Sequence, residues 1–238
     1  PLVLALDSSP QLVFWDLAAL FAERPCVIVP SFFSVAQFSH CIEQSGASHV
    51  LCDPQWHGTL AELGFVQQDV FWVREAEPAA ALPEGTAKIT YTSGSTGKPK
   101  GVCLSAAALL RVARELEVAS RPSEPQRYLA VLPLGVLLDN LGVYAALMAR
   151  ASVLLYPQAQ LGMGGASQVD FKRLLGAIAL SGAQSLILVP QLLMGLITAI
   201  ERGLMRVGAL RFVAVGGARV APSLLARAEA IGLPVFEG

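Results

Sequence analysis

The regular alternation of short apolar runs with helix-patterned segments constrains this chain more than any other feature. Leu2–Leu6, Cys26–Val29 and His49–Cys52 each read as a strand. Between the first two, Pro10–Glu23 carries apolar residues at helical spacing (Leu12, Val13, Leu17, Leu20, Phe21), and Pro10 suits a first turn. Between the second and third, Ser34 caps a helix through Gln44, with Val35, Phe38, Cys41 and Ile42 on its apolar side and Gly46 at its end. A β-α-β-α-β order implies parallel strands with helices crossing over them. The chain is 54% hydrophobic and only 15% charged, which excludes disorder and favours heavily buried elements. The fold class is therefore α/β, with largely parallel sheets flanked by helices.

The same grammar continues downstream. Residues 53–74 are less regular, with a strand at Val70–Val73, and residues 75–85 (EAEPAAALPEG) read as a linker or exposed connection. Strands are expected at Ala87–Tyr91, Val102–Leu104, Tyr128–Leu132, Ser152–Tyr156, Ser185–Val189, Arg211–Val215 and Pro234–Phe236. Helices are expected at Ser105–Ser120, Leu141–Arg150, from Asp170 to Leu180, from Pro190 to near Gly203, and at Ala221–Ile231. Gln158–Gln168, with three glycines, reads as a loop. This divides the chain into two similar α/β portions, residues 1–74 and 86–238, joined at 75–85. No internal sequence repeat relates them.

One segment carries chemistry. Thr92-Ser93-Gly94-Ser95-Thr96-Gly97-Lys98-Pro99-Lys100-Gly101 follows a strand and combines four hydroxyl side chains, three glycines and two lysines. Such a loop turns tightly, brings backbone N–H groups close to an anion and adds hydroxyl donors and positive charge, which is what holding a polyphosphate requires. It is not a Walker A loop. Only two residues separate Gly94 from Gly97, and Pro99 follows Lys98 where that loop needs Ser or Thr for magnesium. The spacing of the dinucleotide fingerprint fails as well.

Ile89 through Lys100 resembles the phosphate-binding signature of the adenylate-forming enzymes: acyl-CoA synthetases, peptide-synthetase adenylation domains and luciferases. That signature runs as an apolar residue, two loosely restricted positions, then Thr/Ser-Ser-Gly-Ser/Thr-Thr-Gly-x-Pro-Lys, and it is matched throughout. Further segments resemble the family in order and approximate spacing. They are Gly46-Ala47-Ser48-His49-Val50, Leu132-Pro133-Leu134, Val215-Gly216-Gly217-Ala218 and Phe236-Glu237-Gly238.

The resemblance implies a two-step ligation. A carboxylate attacks the α-phosphate of magnesium-bound ATP, pyrophosphate leaves, and a thiol, on coenzyme A or a phosphopantetheine carrier protein, takes the acyl group from acyl-AMP. By the same resemblance Thr92, Ser93, Ser95 and Thr96 contact the β- and γ-phosphates, Gly94 and Gly97 permit close approach, and Lys100 supplies charge beside the pyrophosphate. Lys98 occupies the variable position and reads as solvated. Gly216, Gly217 and Ala218 flank adenine and the acyl end, and Glu237 and Gly238 touch the adenine edge. The apolar stretch Leu132–Leu147 favours a fatty or other hydrophobic acid, with Val136, Asp139 and Asn140 as acyl-pocket candidates, although Asn140 also reads as a plain helix cap.

Two family histidines are replaced, by Val136 and Ala106. The family's magnesium glutamate, ribose aspartate, hinge arginine and lid lysine would fall after Gly238. The chain, which also opens without methionine directly into a strand, is therefore expected to be part of a large N-terminal domain lacking its C-terminal lid. A degenerate homologue that binds nucleotide or acyl group without turnover is the competing reading.

The remaining composition narrows the partners. A net charge of −1 gives no reason to expect nucleic acid or an acidic membrane. The longest nearly apolar run, Leu186 to Ile200, is interrupted by Pro190, Gln191 and Thr198 and is shorter than the ~20 residues of a membrane span. Cys26, Cys41, Cys52 and Cys103 are widely spaced, which reads as free thiols in a reducing, cytoplasmic setting. His40, His49 and His57 form no metal or nucleophile pattern, and structural or surface roles are expected for them. No protein-bound metal site is expected.

Overall fold

A computed structural model of the protein describes residues 1–75, 81–92, 99–165 and 168–238. These residues form two compact units: Pro1–Leu109 with Leu134–Val136, and Leu110–Pro133 with Leu137–Gly238.

The first unit opens with β1 (Leu2–Ala5), α1 (Pro10–Phe21), β2 (Cys26–Ile28), α2 (Val35–Ser45) and β3 (His49–Cys52). A short helix α3 (His57–Glu62), a hairpin β4 (Val66–Gln68) and β5 (Phe71–Val73), and a second hairpin β6 (Thr86–Thr92) and β7 (Lys100–Ser105) complete it. The strands lie in the order β4-β5-β3-β1-β2-β6-β7. The centre is parallel: β1 pairs with β2 and β3, and β6 joins β2. Both edges are antiparallel.

Register explains the core. Val50, Val3, Val27 and Ile89 stand side by side across four strands. That face is covered by Phe38, Cys41 and Ile42 of α2, by Trp56, and by Leu60 of α3. One residue along, side chains point to the other face. There α1 buries Leu12, Asp16 and Ala19, the spacing of a single helical stripe. Helix ends follow local chemistry. Ser9 caps α1 ahead of Pro10, and Ser34 with Gln37 forms a reciprocal capping box on α2.

Helix α4 (Ala106–Ser120), whose Leu109–Leu110 bond is where the two units part, leads into the second. This unit contains β8 (Arg127–Leu129), α5 (Leu137–Met148), β9 (Ser152–Leu154), α6 (Phe171–Ser181), β10 (Ser185–Leu188) and α7 (Pro190–Glu201). It ends with β11 (Phe212–Val215), α8 (Pro222–Ala230) and β12 (Val235–Glu237). Its sheet is wholly parallel, in the order β12-β11-β10-β8-β9. Asp170 caps α6 through the Lys172 and Arg173 N–H groups.

The architecture is thus α/β with mostly parallel sheets flanked by helices, as the sequence implied. Two details differ. The expected division at 75–85 is not where the units part: β6 pairs with β2 through Lys88 and Ile89, β7 pairs with β6, and the two strands complete the first sheet. Helix α5 starts at Leu137 rather than Leu141, so Asn140 lies inside the helix and is buried instead of capping it. Among the described residues no helix is long and apolar enough to cross a membrane.

Candidate functional site

In the first unit, β6 and β7 form the two legs of a hairpin with Tyr91 opposite Gly101 and Thr92 opposite Lys100. The phosphate-loop sequence connects the legs. Ser93, Gly94, Ser95, Thr96, Gly97 and Lys98 lie outside the described residues. Thr92 and Lys100 are exposed at the loop's base, a hydroxyl and an ammonium facing each other across the ladder.

Beneath them the hairpin is anchored three times. The buried Tyr91 hydroxyl donates to the Cys41 carbonyl at 3.2 Å. Burial pushes this phenol's pKa up, so it remains a donor. The buried Pro99 carbonyl lies 3.0 Å from His40 Nε2. On the opposite face, Lys88 Nζ reaches both Asp16 carboxylate oxygens, at 2.7 and 2.9 Å. Lys88 and Asp16 are almost fully buried, and Cys26 lies opposite Lys88 in the ladder. Burial, then the Asp16 charge, raises the Cys26 thiol's pKa, so it is a neutral core group.

In the second unit, the first strand β8 has its successor β9 on one side and the third strand β10 on the other. Successive loops diverge at such a point, and ligands of open α/β sheets bind beyond the carboxyl ends of the strands there. Gly216 and Gly217 follow β11, and Glu237 and Gly238 end β12. The Gly238 N–H donates to the Val215 carbonyl at 3.1 Å, and the Gly216 N–H to the Leu188 carbonyl at 3.2 Å. Gly217 has φ 80°, and a Cβ there would lie 3.0 Å from Leu138 Cδ1. Conformation and space both demand glycine at this turn. Ala218, Glu237 and Gly238 are exposed beside it. Five of the expected nucleotide residues therefore share one sheet edge.

The three acyl-pocket candidates fare differently. Asp139 is fully buried and accepts hydrogen bonds from the Tyr128 hydroxyl and the Leu132 N–H. Burial raises its carboxyl pKa to about 7, against the opposing pull of those bonds. Its oxygens hold the turn after β8. Asn140, next to it, is also buried. Val136 belongs to the first unit, in a segment whose Gly135 packs so tightly that a Cβ would lie 2.6 Å from the Pro30 nitrogen.

Sequence reasoning passed over Asp16, Lys88, Tyr128 and the contact made by His40. Opposite charges inside two otherwise apolar elements were a visible signal for the first pair. No sequence signal links His40 to Pro99. Among the described residues no group of three or more His, Cys, Asp or Glu converges to hold a metal ion.

Two parallel-centred α/β units, one with a phosphate-type sequence between its hairpin legs and one with a glycine turn at its strand ends, define an α/β protein with mostly parallel sheets. The chain belongs to the AMP-binding enzyme family, which it matches over residues 1–238. It is 39% identical over 85 residues to pyochelin synthetase PchE of Pseudomonas aeruginosa, covering 36% of this chain and 6% of the relative. With gramicidin S synthase 2 of Brevibacillus brevis it shares 31% over 122 residues, covering 49% and 3%.

Among solved structures, o-succinylbenzoate coenzyme A synthetase from Bacillus subtilis, in complex with AMP, superposes with a TM-score of 0.71 at 21% identity, over 98% of this chain and 59% of that one. The N-terminal subdomain of Klebsiella oxytoca NpsA gives 0.73 at 22%, over 100% and 58%. These likenesses show a shared fold. The chain spans a small fraction of the curated relatives and under two thirds of the solved chains.

Proposed function

We propose that the protein activates a carboxylic acid with ATP, forming an acyl-adenylate and pyrophosphate, and passes the acyl group to a thiol. The observation that carries this reading is the exposed Thr92–Lys100 pair at the base of a hairpin whose connecting sequence is the family's phosphate signature. In it, Thr92, Lys100 and the loop's other hydroxyls and glycines neutralise and orient the β- and γ-phosphates. Gly216, Gly217, Ala218, Glu237 and Gly238 receive the adenosine end. Such a site accelerates reaction by positioning and charge stabilisation, without a covalent enzyme nucleophile.

The acid is proposed to be hydrophobic, from the apolar Leu132–Leu147 stretch, with Val136 and Asn140 as pocket residues. Asp139 instead supports the turn after β8. The curated relatives are peptide synthetases, which supports a phosphopantetheine carrier as acceptor at least as well as coenzyme A. The site is proposed to work in the cytoplasm.

ATP–pyrophosphate exchange by the intact protein, over a panel of aliphatic, aromatic and amino acids, tests the reading. Exchange with at least one acid, lost in Lys100→Ala, is expected. A folded protein that binds ATP but exchanges with none would instead fit a non-catalytic binding homologue.

A further inference from the structure

The helix α2 does more than cover the sheet. Its adjacent residues His40 and Cys41 hold the two legs of the hairpin on either side of the phosphate sequence. The Tyr91 hydroxyl, one residue before Thr92, donates to the Cys41 carbonyl. The Pro99 carbonyl, one residue before Lys100, lies 3.0 Å from His40 Nε2. Thr92 and Lys100 are cross-strand partners, so the two anchors sit one step from the pair that frames the loop.

Proline supplies only an acceptor at this position, and Pro99 is buried. A buried carbonyl without a partner is costly. Its partner here is a half-buried imidazole on the helix, 59 residues away in sequence. An imidazole carrying hydrogen on Nε2 donates to it, whether neutral or protonated.

We propose that His40 is a positioning residue for nucleotide binding, setting through the Pro99 carbonyl where Lys100 stands opposite Thr92. This rests on the ATP-binding reading above. His40 touches no nucleotide in this assignment. Its effect passes through the backbone of Pro99 to the Thr92–Lys100 pair. The alternative for His40 is simple packing on α2, which requires its bulk and not its N–H.

Two replacements separate these roles. His40→Phe keeps a ring of similar size and removes the donor, while His40→Gln keeps an amide N–H at similar reach. ATP affinity of the intact protein is measured by calorimetry, and folding by thermal unfolding. His40→Phe is expected to weaken ATP binding about three- to tenfold, the loss of one hydrogen bond. His40→Gln is expected to stay within about twofold of the unsubstituted protein and to melt above His40→Phe, which leaves the Pro99 carbonyl without its donor.

Unchanged affinity in His40→Phe, or equal loss in both variants, overturns the assignment and leaves the ATP-binding reading standing. Absence of ATP binding by the unsubstituted protein overturns that reading and the His40 role with it. If His40→Phe does not fold, His40→Gln decides alone: near-native affinity supports the donor role, and a loss beyond about threefold overturns it.

Discussion

The two units begin alike and then part. Each starts with a β-α-β-α-β segment whose third strand lies on the far side of the first, giving β3-β1-β2 in one and β10-β8-β9 in the other. Each also secures the turn after its first strand with a partly or fully buried aspartate. The Asp7 N–H donates to Asp53 Oδ2 at 2.7 Å in the first unit, and the Leu132 N–H donates to Asp139 in the second. Burial raises both carboxyl pKa values.

Beyond this shared start the first unit closes its sheet with antiparallel hairpins on both edges, while the second keeps adding parallel strands. The difference decides where chemistry can sit. A parallel sheet gathers its loops at the carboxyl ends of its strands, where the Gly216–Gly217 turn and Gly238 meet. In the β6–β7 hairpin the paired legs are instead held from the helices, by α1 through Asp16 and by α2 through His40 and Cys41.

The anchoring difference is testable, since Trp15, Trp56 and Trp72 all lie in the first unit and tryptophan fluorescence therefore reports that unit alone. The largest effect is expected from Lys88→Met, which leaves the Asp16 carboxylate buried without the cation that balances its charge. A loss of about 3–5 kcal/mol in the fluorescence-detected urea transition should follow. Most of it should return when Asp16→Leu is added, since replacing both partners removes the buried charge. Failure of that restoration would show that the pair does more than neutralise itself.

The matching perturbation in the second unit is Gly142→Ala, whose methyl would overlap the Tyr128 hydroxyl and lie 2.8 Å from Ile187 Cδ1. Overpacking of this kind costs about 1–3 kcal/mol. It should shift the far-UV circular dichroism transition and leave the tryptophan signal in place. A shift in both signals would mean that the two units unfold together.

A smaller effect separates the two aspartate-held turns. The Asp139 carboxyl has a folded-state pKa of about 7, above its unfolded value of about 3.9, so the folded protein holds the proton more tightly. Its stabilising contribution is complete below about pH 4 and is lost as pH rises towards 7. Asp139→Asn should flatten that fall in melting temperature. An unaltered pH slope would assign the dependence elsewhere.

Smallest is Ser34→Ala, which removes the α2 capping box and should cost about 1 kcal/mol. Fluorescence should detect it, because α2 stacks Phe38 on Trp56 at a ring separation of 4.2 Å. No change would place the strength of α2 in its packing.

Much of this fold is legible along the chain because its signals are local. Ser34 before an apolar stripe, Gly46 after it, Pro10 and Pro190 at first turns and Asp170 before α6 all act within a few residues. The phosphate signature and the Gly216–Gly217 turn are legible for the same reason, since glycine, hydroxyl and lysine at fixed offsets carry their chemistry with them. The start of α5 is not, because Asp139 is drawn into the helix by a hydroxyl eleven residues upstream and a backbone N–H seven upstream.

The sequence by itself determined the α/β class and the parallel pairing at the centre of the first sheet, since periodicity and spacing are properties of the chain. Tertiary structure alone decided that β6 and β7 complete the first sheet, that Lys88 pairs with Asp16 across 72 residues, and that His40 meets Pro99 across 59. Those are choices of partner between distant segments. Buried charges and carbonyls must each find a partner, and which one lies within reach is settled only when strands and helices take their places.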